Sequence, residues 1–462
     1  MKGPINKKEK GVFRLPTYNF TEGPIKKQIL LFSGPILLSN LLQVSYQFID
    51  SLWVGNLLGD QALGAVTISS TIVVVVLAFI IGINNATLTI LSQQKGMQDE
   101  TGLRRYVNAF VVLLALLSLL VGAFGFIFAT DILVFLNTPD SMLEGAGAYL
   151  RISFLGVLLI MGYNFISTVL RALGDSKTPL KFIFIAVLLN TILDPLFIAG
   201  FNWGIHGAAI ATVVSQGLAF FLALMYSLKK KLIPFSRPHW PSWAEAWLIL
   251  KLGIPAGLQM MVIQAGVTTI LSIVNSFGAA VVAGYGAAQR IDSLIMLPAS
   301  ALGTAVNSMA GQNIGANRWE RVRKIAMYGV LFNFLIMFAI AILIFVFAEI
   351  MITWFIHEPD SVHFGIAFLK ITAFFYPFLG LNFILNGIVR ASGAMYQVLV
   401  LNILSFWVLR VPLTSLFSSL IGQNGIAYGI GISFVISSIF AFSYFQWGGW
   451  KRKRLFAKKT TE

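Results

Sequence analysis

Asp50, Asp194 and Asp292 are the only ones of 18 acidic residues that lie well inside long apolar runs. A charge there costs at least ~2.5 kcal/mol, so each is a candidate functional group. Asp50 ends a polar stripe in which Ser39, Gln43, Tyr46 with Gln47, and Asp50 recur at helical spacing. Asn190 and Asp194 stand four residues apart on another run, and Pro195 follows directly. A proline in a helix frees the carbonyl of Thr191, which adds an oxygen beside the carboxylate. Two carboxylates with an amide and carbonyl oxygens suit Na+ held at Asp50, Asp194 and Asn190, and they suit a shared proton equally well. Each Asp also fits a plainer role as a helix–helix hydrogen-bond partner.

Arg290, Asp292 and Arg410 supply further charge inside apolar runs. Residues two apart on a helix do not face each other, so Arg290 and Asp292 are expected to find partners on other helices. They read either as a polar network gating a cavity or as substrate contacts. Tyr46, Tyr163, Phe165, Met260, Met261, Gln264 and Met296 are candidates for lining a cavity that takes apolar cations. Packing or lipid contact explains each aromatic or Met residue as well. The chain has no Cys, and its four His lack zinc-ligand spacing. With no nucleophile, metal or phosphate-loop constellation, neither an enzyme nor a resident cofactor is expected.

The elements that must position these residues are membrane spans. Of 462 residues 57% are hydrophobic and 11% charged, and mean hydropathy is +0.82; a soluble chain would have nowhere to bury that surface. Twelve apolar runs, near 29–54, 62–91, 104–130, 146–171, 178–200, 206–228, 246–277, 280–310, 322–350, 362–390, 395–420 and 424–447, are each long enough to cross a bilayer. The net charge of +15 does not call for nucleic acid, because its basic residues sit between the runs and alternate in side. Lys7, Lys8, Lys10, Lys26, Lys27, Lys95, Arg104, Arg105, Lys177, Lys229, Arg318 and Lys451 to Arg454 fall on one side, and Asp60, Asp131, Asp140, Glu144, Glu358 and Asp360 on the other. The positive-inside rule predicts a multi-pass protein of the cytoplasmic membrane with both termini cytoplasmic. Residues 1–27 are polar and basic, and no signal peptide is expected there.

Displaced by about 219 positions, the sequence resembles itself. Leu170-Arg171-Ala172-Leu173-Gly174 meets Val389-Arg390-Ala391-Ser392-Gly393, Tyr149-Leu150-Arg151-Ile152 meets Phe368-Leu369-Lys370-Ile371, and Pro35 meets Pro255. Since 219 residues hold six spans, the halves share orientation and relate by an axis along the membrane normal. An all-α integral membrane fold follows, with twelve transmembrane helices in two pseudo-symmetric six-helix bundles around a central cavity. Its parts are an N-terminal tail (1–27), a first bundle (28–228), a linker (229–245), a second bundle (246–447) and a basic tail (448–462). That is the layout of an alternating-access transporter. The positions matching Asp50 and Asp194 are apolar, near Ile270 and Val411, so any site on these acids belongs to the first half alone.

Together these features resemble the multidrug and toxic compound extrusion (MATE) family, particularly its DinF-like branch. The resemblance runs from Lys27 to Trp447 and rests on Phe48-Ile49-Asp50, on Leu170 to Gly174 with Asp175-Ser176-Lys177-Thr178-Pro179, on Asn190 to Pro195, and on Gly207-Ala208-Ala209-Ile210-Ala211-Thr212. It implies export of cationic or amphipathic organic compounds in exchange for inward protons or sodium. Carried over by position, the branch's coupling site falls on Gln43, Asp50, Asn190, Asp194 and Thr212, with Asn164 beside them. Another branch carries acids in span 7, where this chain has none, and that favours protons here. A flippase for lipid-linked oligosaccharide or cell-wall precursors shares the scaffold and is the alternative. The expected partners are small organic cations or drugs and membrane lipid, and a monomer is expected to suffice.

Overall fold

The structure, a computed structural model, describes residues 18–453, 455 and 456. Lys7, Lys8, Lys10 and Arg454, used above for orientation, lie outside the described residues. The helices are α1 Ile25–Leu58, α2 Asp60–Gly96, α3 Glu100–Phe135, α4 Asp140–Ala172, α5 Lys177–Pro195, α6 Gly204–Lys229, α7 Trp243–Asn275, α8 Ala279–Gly315, α9 Trp319–Thr353, α10 Pro359–Ala373, α11 Tyr376–Ala391, α12 Met395–Ile403, α13 Val411–Ile421 and α14 Gly425–Trp447. No strand occurs among the described residues.

Ten stretches are long and apolar enough to cross a membrane, and α10 with α11, bent by 53° at their break, makes an eleventh. The tenth stretch, 53 residues over Met395–Trp447, would extend about 80 Å at 1.5 Å per residue, over twice the roughly 30 Å hydrocarbon layer. The chain turns back at Gly422, where φ is 70°, and α13 and α14 pack side by side. This makes twelve spans. Three of them are less regular than the apolar runs suggest. Pro377 and Pro412 each lack a donor N–H, so the helix restarts at the α10–α11 bend and widens over Leu404–Arg410 before α13. Likewise the turn widens over Leu196–Gly200 directly after Pro195.

Two halves emerge, α1–α6 and α7–α14, joined by the linker. They meet where α2 packs on α7 and α8, and α1 on α8. Among the described residues, every hydrogen bond between their helices lies at the end carrying the Lys and Arg clusters, the basic end. There Thr89 Oγ1 donates to the Arg390 carbonyl at 3.2 Å and Gln93 Nε2 to that of Ala391 at 2.6 Å. Reciprocally, Ser308 Oγ donates to the Arg171 carbonyl at 2.7 Å and Gln312 Nε2 to that of Ala172 at 2.9 Å. Each residue and its counterpart are 219 positions apart, so the halves cap each other's helix ends across a pseudo-twofold axis. The last carbonyls of a helix have no partner of their own, and α2 and α8 supply one from the opposite half. Glycine permits the approach: a Cβ at Gly96 would overlap the Gln312 backbone, and one at Gly315 the Gln93 backbone.

The segments expected as simple tails prove structural. The Tyr18 N–H donates to the Gly174 carbonyl at 3.2 Å in the first half. Two residues on, the Phe20 N–H donates to Gln312 Oε1 at 3.1 Å, and Asn313 and Arg321 donate to the Phe20 carbonyl at 2.9 and 3.0 Å in the second. In the other direction, Trp450 is buried in the second half while Phe456 meets the Tyr106 ring of the first at 5.5 Å. Both segments strap the halves together at the basic end.

Candidate functional site

In the first half, α1 packs against α5, and α5 against α6. Asp50 faces this seam from α1, Asn190 and Asp194 from α5, and Thr212 from α6. Asn190 and Asp194 are fully buried and Asp50 is 7% exposed. The Asn190 amide donates to Asp194 Oδ1 at 2.8 Å, and the Tyr149 hydroxyl approaches Asp50 Oδ2 at 3.5 Å. Tyr46, one turn before Asp50, ties α1 to α6: its hydroxyl lies 2.8 Å from Ser215 Oγ and 3.2 Å from the Thr212 carbonyl.

Four oxygens here lack any partner: Asp50 Oδ1, Asn190 Oδ1, Asp194 Oδ2 and Thr212 Oγ1. Buried polar atoms are ordinarily paired, and those that are not call for an explanation. Three of these four can only accept a hydrogen bond or ligate a cation, and two carry the negative charge of a carboxylate when ionised. Such a set asks for a proton or a small hard cation. Tyr46, grouped by sequence with the open cavity, belongs instead to this buried cluster. Asn164 does not join it, because its amide donates to the Ile160 carbonyl of its own helix at 2.9 Å. Gln43 is exposed on the Asp50 face of α1, two turns towards the basic end.

Tyr149 was not singled out from sequence as a site residue. Its signal was a mismatch inside the repeat, Tyr149 against Phe368, which gives one half a hydroxyl that the other lacks.

The second half places its charges separately. Tyr376 donates to Asp292 Oδ1 from the start of α11. Arg410 is buried with its guanidinium 3.7 Å from the Phe406 ring centre and 4.6 Å from that of Phe434, and its Nε reaches Ser433 at 3.3 Å. Arg290 is exposed and lies over the Phe355 ring at 5.6 Å. Arg290 and Asp292 therefore take partners on other segments, as their spacing requires. Asp292 and Arg410 are held by Tyr376 and by Ser433 respectively, and no carboxylate–guanidinium contact within 4.0 Å joins Asp292 to Arg290 or Arg410.

Met260, Met261 and Gln264 share the face of α7 on which Gly253 and Gly257 touch Ile83 and Phe79 of α2. They lie beyond that contact and are partly or fully exposed. Met296 on α8 is half-buried against the second-half core. Tyr163 and Phe165 are buried inside the first half. The Tyr163 hydroxyl donates to the Pro179 carbonyl at 3.0 Å, and Phe165 packs near Phe110 beside a separate cavity between α3, α4 and α6.

A model of the MatE family matches the chain twice, over residues 35–196 and 255–416, an offset of 220 that restates the internal repeat. The chain is 60% identical over 445 residues to the "Probable multidrug resistance protein YpnP" of Bacillus subtilis (strain 168), covering 96% of this chain and all of that one. With the "Probable multidrug resistance protein YoeA" of the same organism it shares 30% over 453 residues, 96% and 97% of the two chains. The structure described as the outward-facing conformation of a multidrug resistance MATE family transporter of the MOP superfamily aligns at TM-score 0.88 and 22% identity, covering 93% and 97%. Twice-matched halves, full-length relatives and a shared twelve-helix fold lead to one conclusion: the chain belongs to the MatE family and is a multi-pass membrane transporter, not an enzyme.

Proposed function

We propose that this chain exports cationic or amphipathic organic compounds by alternating access, in exchange for a cation moving inward through the first half, a proton in preference to sodium. The small-molecule cargo is supported by the relatives, which are named as multidrug resistance proteins. The observation that carries the coupling is the set of four unpartnered buried oxygens on Asp50, Asn190, Asp194 and Thr212.

With the basic end taken as cytoplasmic by the positive-inside rule, the inter-half bonds there support a state closed inside, with the cargo cleft opening outward beside the exposed face of Met260 and Gln264. A cation arriving from outside neutralises carboxylate charge on α1 and α5 and allows the seam of α1, α5 and α6 to repack. Loss of that charge weakens the hold on a cationic cargo in the cleft, which leaves to the outside. For the return, the basic end must part, breaking the reciprocal glutamine caps and the straps. Release of the cation to the cytoplasm restores the charge for the next cargo.

The test is purified protein in liposomes, with efflux of an ethidium-like dye followed under an imposed proton or sodium gradient. Dye movement driven by an ion gradient supports the reading. Dye movement indifferent to both gradients overturns it.

A further inference from the structure

A second cavity lies apart from the cleft and the acidic cluster. Enclosing about 300 Å³, it is set between α3, α4, α6 and the linker, with an almost wholly apolar wall that includes Val111, Ala115, Met161, Phe165 and Phe220. A further groove of about 360 Å³ continues from it along α3 and α4, sharing Ser118 and Leu158. From Val107 to Ser118 the cavity follows α3 for about 17 Å at 1.5 Å per residue, close to the depth of one leaflet in a roughly 30 Å hydrocarbon layer.

Its mouth sits at headgroup level. Phe235, Ser236 and Pro238 of the linker form the rim. The linker is pinned there by two bonds to α3, Asn108 Nδ2 to the His239 carbonyl at 2.7 Å and the His239 N–H to Asn108 Oδ1 at 3.2 Å. Trp240, Trp243 and Trp247 follow directly and are 76%, 75% and 54% exposed, as tryptophans of an interfacial belt are. The rim is also strongly basic. Arg104 and Arg105 precede Asn108 by one turn, Lys229 to Lys231 follow the lining residue Leu228, and Arg237 stands between Ser236 and Pro238; all are exposed. Of the acidic neighbours, Glu100 is exposed beside Arg104, and the other two are engaged. Glu245 is held by Arg105 and by the α7 capping box, and Asp99 caps α3.

We propose that this cavity is a binding site for one anionic phospholipid, with an acyl chain in the slot between α3, α4 and α6 and the phosphate among Arg237 and Lys229 to Lys231. A cationic cargo would be repelled at such a mouth, so the site is not a second route for the exported compound. A lipid seated there holds the linker between the halves against α3. Specificity for anionic headgroups comes from the rim, at roughly fivefold per Lys or Arg engaged.

The test is native mass spectrometry of the delipidated full-length protein, titrated with phosphatidylglycerol, phosphatidylcholine or glycerol 3-phosphate, the last being a headgroup without chains. One phosphatidylglycerol should be retained at least about tenfold more tightly than phosphatidylcholine, and glycerol 3-phosphate should not be retained. Ala115→Trp, which fills the slot, should abolish retention of both lipids. The paired exposed-surface change Lys230→Glu with Arg237→Glu should erase the phosphatidylglycerol preference while leaving a chain bound, and it reads out even should Ala115→Trp fail to fold. Equal retention of the two lipids by the unchanged protein would overturn the proposal. So would an Ala115→Trp protein that keeps the lipid, a preference surviving the double charge reversal, or tight binding of glycerol 3-phosphate alone.

Discussion

The side-chain amide of Asn190 donates to Asp194 Oδ1 at 2.8 Å, and the bond leaves Asn190 Oδ1 and Asp194 Oδ2 without donors inside a fully buried site. One turn of α5 thus fixes the carboxylate's orientation and keeps two oxygens free. With Asp50 Oδ1 and Thr212 Oγ1 they make a cluster of four unpartnered buried oxygens, three of which can only accept a hydrogen bond or ligate a cation.

Replacing Asp50 or Asp194 by Asn keeps shape and removes charge. Each single variant should lower gradient-driven dye efflux at least about tenfold, the loss expected when a coupling interaction worth ~1.4 kcal/mol or more disappears. Folding should persist, because an uncharged amide is cheaper to bury than a carboxylate. Circular dichroism and thermal unfolding in detergent provide the control. Wild-type efflux by both variants would exclude a coupling role for these residues.

A second prediction concerns the reciprocal caps. Gln93 and Gln312 are repeat counterparts and cap the opposite half's helix, but Gln312 also accepts from the Phe20 N–H. Gln93→Ala should destabilise the closed basic end by about 1–3 kcal/mol, the cost of an unmet buried carbonyl, and Gln312→Ala by more. Hydrogen exchange at the amides of residues 18–24 and 89–96 should quicken in that order. Equal protection in both variants and the parent would show that the caps do not hold the closure.

The twelve spans, the halves and their repeat were legible in sequence because hydropathy and spacing are properties of residue type. Asp50, Asn190 and Asp194 were legible for the same reason, being costly groups in apolar runs. What stayed hidden depends on backbone atoms and on shape. The straps bind Phe20 through its carbonyl and N–H, which any residue possesses. Tyr163 and Phe165 have the residue type of cavity aromatics, yet helix phase turns one toward the Pro179 carbonyl and the other toward α3. Asn164 looks like a site amide until its own helix claims its donor. The bend between α10 and α11 had only Pro377 to announce it.

Rocking of the halves requires α2 and α8 to separate at the axis, where Ser92 meets its own repeat counterpart, Gly311. Ser92 Cβ lies 2.9 Å from where a Cβ on Gly311 would stand, and a disulfide needs about 3.5–4.5 Å, so a small shift admits one. In a chain without native cysteine, Ser92→Cys with Gly311→Cys should cross-link on oxidation, halt efflux, and recover on reduction. Full-rate transport by the cross-linked protein would rule out separation at that contact.

The last prediction distinguishes the coupling ion. A sodium ion seeks several oxygens gathered around it at once, whereas a proton needs one oxygen and a nearby acceptor. The cluster supplies four free oxygens, but they are spread over α1, α5 and α6, and Asp194 already spends Oδ1 on Asn190. Protonation of a carboxylate turns one acceptor into a donor and meets a neighbouring oxygen without moving three helices together. Tyr149 and Tyr46 line the same seam with hydroxyls that can reorient in step. A pH gradient, acid outside, should therefore drive dye efflux in liposomes free of sodium, and efflux should fall as the external pH is raised at constant internal pH. Sodium added at equal pH on both sides should drive little. Transport that needs sodium and ignores the pH gradient would reassign the same oxygens to a sodium site and leave the rest of the cycle as described.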